Sequence, residues 1–315
     1  MSALEGSHYR LRPRAAEART AVVSLVAGAT VWGLIWYPYR VLESAGLSGV
    51  RAAILTYLVA LVLGVLVLAS RNCCERPSWW LLAVGLSAAG CNIGYVLGML
   101  HGEVMRVLLL FYLAPLWTVL LARLLLGERA GRWGLRVILL SLAGAAVMLW
   151  QPRLGLPLPG NDAEWLGLAA GFLFALSNVL IRRTPQHSIE LKSTAVFLCT
   201  VTLGLVAAAF EPPAALGGMQ SAHWLLLVVV GVLLLAINLV VQFGLTHVPA
   251  NRAIVIFMFE LAVAAVSAWL LAGETMGAKE WLGGAMIVAA SAVSARSVDT
   301  AASGLPQSPA GSTAL

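Results

Sequence analysis

The sequence predicts an all-α membrane protein, with ten transmembrane helices arranged as two inverted five-helix repeats. Three observations carry that prediction. Of the 315 residues, 60% are hydrophobic and 11% charged, with a mean hydropathy of +0.90, far from the roughly 25% charged content of soluble domains. Ten apolar stretches approach 20 residues, the length that crosses a bilayer core as a helix. Asn92, Gly98, His101 and Arg106 recur as Asn238, Gly244, His247 and Arg252, and the same offset of 146 residues relates Gly127-Glu128 to Gly273-Glu274. The chain has only six Asn and five His, so chance pairing of both types explains little and the chain reads as two copies of one unit.

Residues 1–20 form a basic N-terminal segment, with Arg10, Arg12, Arg14 and Arg19 ahead of the first apolar run. That run continues to about residue 42 without a small-residue cleavage site, so it predicts a retained helix and not a signal peptide. The spans follow at 21–42, 48–70, 78–100, 103–126 and 131–151, then 163–183, 190–211, 222–245, 250–272 and 278–296. The first repeat covers 21–151 and the second 163–296. The external linker 152–162 between them lies in the longest polar connector, Gln151 to Glu164, with three prolines and two glycines. The tail 297–315, rich in Ala, Ser, Pro and Gly, has too little apolar content to pack and is expected to be disordered.

An even helix count puts both termini on one side, and the Lys and Arg distribution selects the cytoplasm. That choice leaves fifteen basic residues on the cytoplasmic side and only Arg40, Arg51, Arg106, Arg153 and Lys279 elsewhere. Five helices per repeat make the second copy enter the membrane in the opposite sense. One Asn-Gly-His-Arg element then lies near each face. The net charge of +6 comes from scattered residues with no continuous basic face, which speaks against nucleic acid as a partner. The chain carries no Gly-x-x-x-x-Gly-Lys loop, so nucleotide coupling is not expected. Cys73, Cys74, Cys91 and Cys199 show no metal-ligand spacing and read as structural thiols. The preference for Arg over Lys and the abundance of Ala, Gly and Leu point to a bacterium, hence to its inner membrane. The partners expected are a small-molecule substrate and the lipid bilayer, and a homo-oligomer stays open.

Trp32-Gly33 in helix 1, Tyr112-Leu113-Ala114-Pro115 leading to Leu126-Gly127-Glu128-Arg129, and Phe259-Glu260-Leu261 leading to Ala272-Gly273-Glu274 together resemble the drug/metabolite transporter superfamily, in its EamA-type ten-helix branch. The resemblance covers about residues 20–296. It implies export or exchange of small metabolites, often amino acids, through a central cavity by alternating access. With no nucleotide-binding loop, the chain then reads as a secondary transporter that uses no cofactor and is driven by protons or by substrate exchange. Leu261 stands where many relatives have a proline after the acidic residue; if that proline bends the helix, the second repeat is expected to be straighter here than in them.

Glu260 lies near the middle of helix 9, where a charge costs about 2.5–3.5 kcal/mol on insertion scales. It is either a cavity carboxyl able to hold a proton or an ammonium group, or a protonated link to a neighbouring helix. Its counterpart at the offset is Ala114, so it breaks the repeat. Arg106 and Arg252, just inside helices 4 and 9, are candidate gates at opposite faces; snorkelling is the alternative. Asn92 and Asn238 either line the cavity or tie helices together. Gly98 and Gly244 predict close helix approach, and His101 and His247 read as interfacial.

Trp32, Trp36, Tyr39 and Arg40 share one face of helix 1. Trp32 is deep enough for the cavity, whereas Tyr39 and Arg40 suit an interface belt; Trp36 between them joins the substrate-facing set, and Pro38 kinks the helix near its outer end. Asn178, Tyr95, Tyr112 and Gln242 could add amide and hydroxyl contacts, and Pro115 shapes helix 4. Glu128 and Glu274 read as structural, with Arg132 and Lys279 as nearby partners. Two competing classes remain: an intramembrane lipid-modifying enzyme, which needs reactive groups clustered at one depth, and a non-transporting scaffold. The solitary mid-depth Glu260 counts against the first, and intramembrane polar residues count against the second.

Overall fold

The computed structural model describes residues 15–70, 78–102, 104–150, 158–211, 218–273 and 276–303. Regular structure among them is entirely helical: α1 (Ala15–Leu34), α2 (Trp36–Ser44), α3 (Gly49–Ser70), α4 (Trp79–His101), α5 (Val104–Phe111), α6 (Ala114–Leu121) and α7 (Arg132–Leu149), then α8 (Asp162–Arg183), α9 (Ile189–Ala208), α10 (Ser221–His247), α11 (Ala250–Phe257), α12 (Phe259–Ala272) and α13 (Ala278–Ser303). A five-residue π-helical turn, Ala122–Leu126, prolongs α6. With abutting helices taken together, nine described segments are long and apolar enough to cross a membrane. The 26-residue α13 is long enough, but its Ala-, Ser- and Gly-rich sequence is less apolar, so nine described helices meet the standard that ten were expected to meet.

One expectation is corrected. Residues 297–303, expected to be disordered, continue α13 as far as Ser303, because Ser-Val-Asp-Thr-Ala-Ala-Ser contains neither Gly nor Pro to stop a helix. Helix 9 breaks at Met258 between α11 and α12, and helix 4 breaks at Tyr112-Leu113 between α5 and α6. The broken pieces α5 and α11 span identical repeat positions, since residues 104–111 and 250–257 differ by the 146-residue offset. Pro115 in the first turn of α6 accounts for the first break, having no N–H to bond back. The second break occurs without a proline, so packing and not local chemistry imposes it.

Helix neighbours recur in pairs at the same offset. The long helix α4 packs on α8 and α9, and its counterpart α10 packs on α1 and α3. Similarly α5 and α6 pack on α8 while α11 and α12 pack on α1, and α7 runs along α13. Small residues set these crossings. A Cβ on Gly98 would sit 3.1 Å from the Ala163 carbonyl oxygen, and one on Gly244 would sit 2.9 Å from that of Ala21, so both glycines allow the close approach expected of them. Gly127 and Gly273 end their helices with φ of +65° and +67°, the left-handed C-cap conformation that favours glycine.

The outer surface is apolar. Val62, Leu66, Leu225, Val229 and Leu282 are exposed along the helices, and Trp79, Trp133, Trp150, Trp165 and Trp281 are exposed near helix ends. Such a surface suits hydrocarbon, with tryptophans at the headgroup level. The molecule is a multi-pass membrane protein.

Candidate functional site

The two helix breaks meet inside the bundle. Phe111 and Phe257, each the last residue of its broken piece, are counterparts at the 146-residue offset, and Phe174 of α8 lies between them. Its ring centroid is 5.6 Å from Phe111 and 5.6 Å from Phe257, within the range of favourable aromatic contact. A small cleft opens beside this stack, walled by Tyr112, Ala114 and Pro115 from one broken helix and by Ile254, Met258 and Glu260 from the other. Its free volume of about 10 Å³ is that of roughly one water, so anything larger fits only if the helices part.

Glu260 stands in the first turn of α12, where a carboxylate is favoured by the helix dipole. It is partly buried, and among the described residues its carboxylate makes no hydrogen bond or ion pair. Cys91, Tyr95 and Tyr112 lie within electrostatic reach of it. The neighbouring wall is α1: a Cβ on Gly33 would lie 2.7 Å from the Glu260 carbonyl oxygen. That contact explains why glycine follows Trp32. Trp36 Nε1 donates to Ser267 Oγ at 2.9 Å, and Ser267 Oγ donates to the Gly33 carbonyl at 3.2 Å, tying α1 and α2 to α12.

Of the residues singled out from sequence, Glu260 and Tyr112 line the cleft. Tyr95 packs edge-on against Phe111 at 5.1 Å, and Trp32 packs on the main core. The amides lie elsewhere. Asn92 Nδ2 reaches Thr200 Oγ1 on α9 at 3.5 Å, linking two helices. Asn178 and Gln242 are buried in α8 and α10, outside the cleft lining. Among the described residues Asn178 Nδ2, Asn238 Oδ1 and Gln242 Oε1 have no hydrogen-bond partner. Tyr39 is not part of a lipid-facing belt: its hydroxyl turns inward to Thr56 Oγ1 at 2.8 Å. His101 and His247 each donate Nδ1–H to the carbonyl four residues earlier, at 2.9 and 2.8 Å, a matched structural use.

Charged contacts join the two halves of the chain at both ends of the bundle. At the end where α1 begins, Glu128 Oε1 lies 2.5 Å from Arg182 Nε and Glu128 Oε2 accepts the Ala250 N–H at 3.0 Å. Arg182 also donates to the Thr246 carbonyl at 3.0 Å. Glu128 thus pairs with Arg182 and not with Arg132, because Gly127 in its left-handed conformation turns the chain toward α8 and α11. Arg252 is within electrostatic reach of Glu128. The fully buried Lys192 donates to Thr246 Oγ1 at 3.2 Å and lies 3.5 Å from the Ile181 and Thr184 carbonyls, where a cation suits the C-terminal end of α8.

At the opposite end, Arg106 Nε lies 2.8 Å from Glu164 Oε1 and Arg106 Nη2 donates to the Leu158 carbonyl at 2.6 Å. Ser48 Oγ donates to Glu211 Oε2 at 2.6 Å. Lys279 pairs with Glu280 at 3.5 Å; Glu274, its expected partner, lies outside the described residues, as do Cys73 and Cys74.

The EamA-like transporter family matches the sequence twice, over residues 19–150 and 162–296. The chain belongs to the EamA-like transporter family. An uncharacterised transporter of Archaeoglobus fulgidus is 27% identical over 215 residues, covering 68% of this chain and 75% of that protein. A protein of known crystal structure superposes with a TM-score of 0.71 at 19% identity, covering 87% of this chain and 96% of that one, a likeness of fold alone.

Sequence reasoning missed Phe111, Phe174, Phe257, Ile254 and Met258 because each reads as ordinary core. The 146-residue offset between Phe111 and Phe257 was the available signal. Glu164, Arg182 and Lys192 gave no signal as contact-forming residues, since Arg106, Glu128 and Thr246, which they respectively meet, are remote in sequence.

Proposed function

We propose that this EamA-like transporter moves small metabolites carrying an amino group, amino acids among them, as an exporter or exchanger working by alternating access. Glu260 carries the proposal: a carboxylate without a hydrogen-bond or ion-pair partner among the described residues, standing at the wall of a cleft between two broken helices. It holds either a proton or the ammonium of the cargo, so one is exchanged for the other and no cofactor takes part. An enzyme would need a second reactive group beside the carboxylate, and the other walls of the cleft are apolar or phenolic.

In this proposal α13 is the tenth span, and the two halves, 21–151 and 163–296, are inverted repeats joined by an external linker. The neighbours that recur at the 146-residue offset support that arrangement. The excess of Lys and Arg on one side supports cytoplasmic termini, in a bacterial inner membrane. Arg106 with Glu164 then forms the outer gate, and Glu128 with Arg182 and Arg252 the inner one.

The test is transport by the purified full chain in liposomes, using a panel of labelled amino acids and amines. Glu260→Gln is expected to lower the rate at least tenfold for any solute that moves, with the amount of folded protein unchanged by gel filtration. An unchanged rate removes Glu260 from the mechanism.

A further inference from the structure

Resting on that transport reading, we infer that the preferred cargo is a small aromatic amine that carries no carboxylate. Among the described residues the cleft offers one charged side chain, Glu260, beside the ring stack of Phe111, Phe174 and Phe257 and the ring of Tyr112. A carboxylate recognises an ammonium by charge. The aromatic faces add attraction for that same cation through their quadrupoles, and they receive a flat apolar body by stacking.

The charge pattern discriminates against an amino acid. In a zwitterion the carboxylate lies next to the ammonium, so seating the ammonium on Glu260 brings a second carboxylate into the same apolar space. Two like charges there repel, and a buried carboxylate without a cation is costly. Among the described residues the cleft wall contains no Lys, Arg or His. The nearest arginines along the broken helices are committed to the ends of the bundle. Arg106 engages Glu164 and the Leu158 carbonyl. Arg252 precedes Glu260 by eight residues, about 12 Å of helical rise, and lies in reach of Glu128. A free acid lacks the ammonium altogether and meets only repulsion from Glu260.

Three compounds with a common aromatic body separate these cases: 2-phenylethylamine, phenylalanine and 3-phenylpropionate. Counterflow into liposomes containing the full chain is measured for each, with uptake by protein-free vesicles subtracted. The expected initial rate for 2-phenylethylamine is at least tenfold that for phenylalanine, with no uptake of 3-phenylpropionate above the protein-free level. Glu260→Gln should abolish the amine flux. Glu260→Asp, which keeps the charge and guards against a folding artefact, should slow it while preserving the order of amine over zwitterion. Loss of that order in Glu260→Asp overturns the inference. Phenylalanine moving as fast as the amine overturns it too, and leaves the transport reading standing. Failure of all three to move also overturns it, and the transport reading is then decided by the wider solute panel.

Discussion

Replacing Glu128 by alanine should loosen the contact between the α6–α7 turn and the start of α11. The carboxylate accepts from Arg182 Nε at 2.5 Å and from the Ala250 N–H at 3.0 Å. Side-chain exposures of 22% for Arg182 and 17% for Glu128 leave the pair only partly screened. A hydrogen bond to a charged group contributes about 1.5–3 kcal/mol and a neutral one about 1. Arg182 retains the Thr246 carbonyl as an acceptor, so the net loss is about 2–3 kcal/mol after allowing for screening. At 1.4 kcal/mol per decade, conformations with this end open gain about 30- to 150-fold in population relative to closed ones. The assay is labelling of a cysteine at Asn251, next to Ala250 and nearly buried at 9% exposure, in a chain whose four native cysteines are replaced. An impermeant maleimide applied from the α1-start side should react about 30 to 150 times faster in Glu128→Ala than in the parent. Glu128→Gln keeps an acceptor for Ala250 and should give about a tenfold increase. A rate within twofold of the parent, in protein that remains folded by gel filtration, would refute the placing of Glu128 in the inner gate.

Two further outcomes are expected. Single cysteines at His101 and His247, which precede Arg106 and Arg252 by five residues, should be labelled by an impermeant reagent from opposite sides of the membrane; labelling of both from one side rules out inverted repeats. Gly171→Ala places a methyl group against the Phe111 carbonyl oxygen, a backbone atom of α5, and should cost about 1–3 kcal/mol by overpacking, read as a lower Tm in detergent. Gly284→Ala, which meets nothing within 4 Å, should leave Tm unchanged or slightly raised, and equal losses in both variants would contradict the packing argument.

Much of the architecture is legible in one dimension. Apolar length marks the helices, and the recurrence of Asn, Gly, His and Arg marks the duplicated unit. The same offset now relates Phe111 to Phe257, Gly127 to Gly273, and the two His-to-carbonyl bonds. Glu260 also stood out, because a mid-span carboxylate is expensive enough to demand a reason. Neighbour identity was not legible. Asn178 and Gln242 look like cavity residues by polarity, yet they lie outside the cleft walls. Phe174 looks like filler, yet it bridges the two broken helices. The break at Met258 carries no proline to announce it.

A duplicated, membrane-embedded helical protein of the EamA-like family is readable from composition and residue recurrence, because hydrophobic length and recurrence are sums over local composition. Which side chains share the cleft with Glu260, and which charges join the halves, is not readable there. Those facts depend on helix crossings. Helices cross where small residues such as Gly33, Gly98, Gly171 and Gly244 let backbones touch, and a crossing brings together residues far apart in the chain, as with Gly33 and Glu260 or Gly98 and Ala163. Glu128 finds Arg182 and Ala250 only through that geometry, as Glu260 finds its wall of aromatic rings.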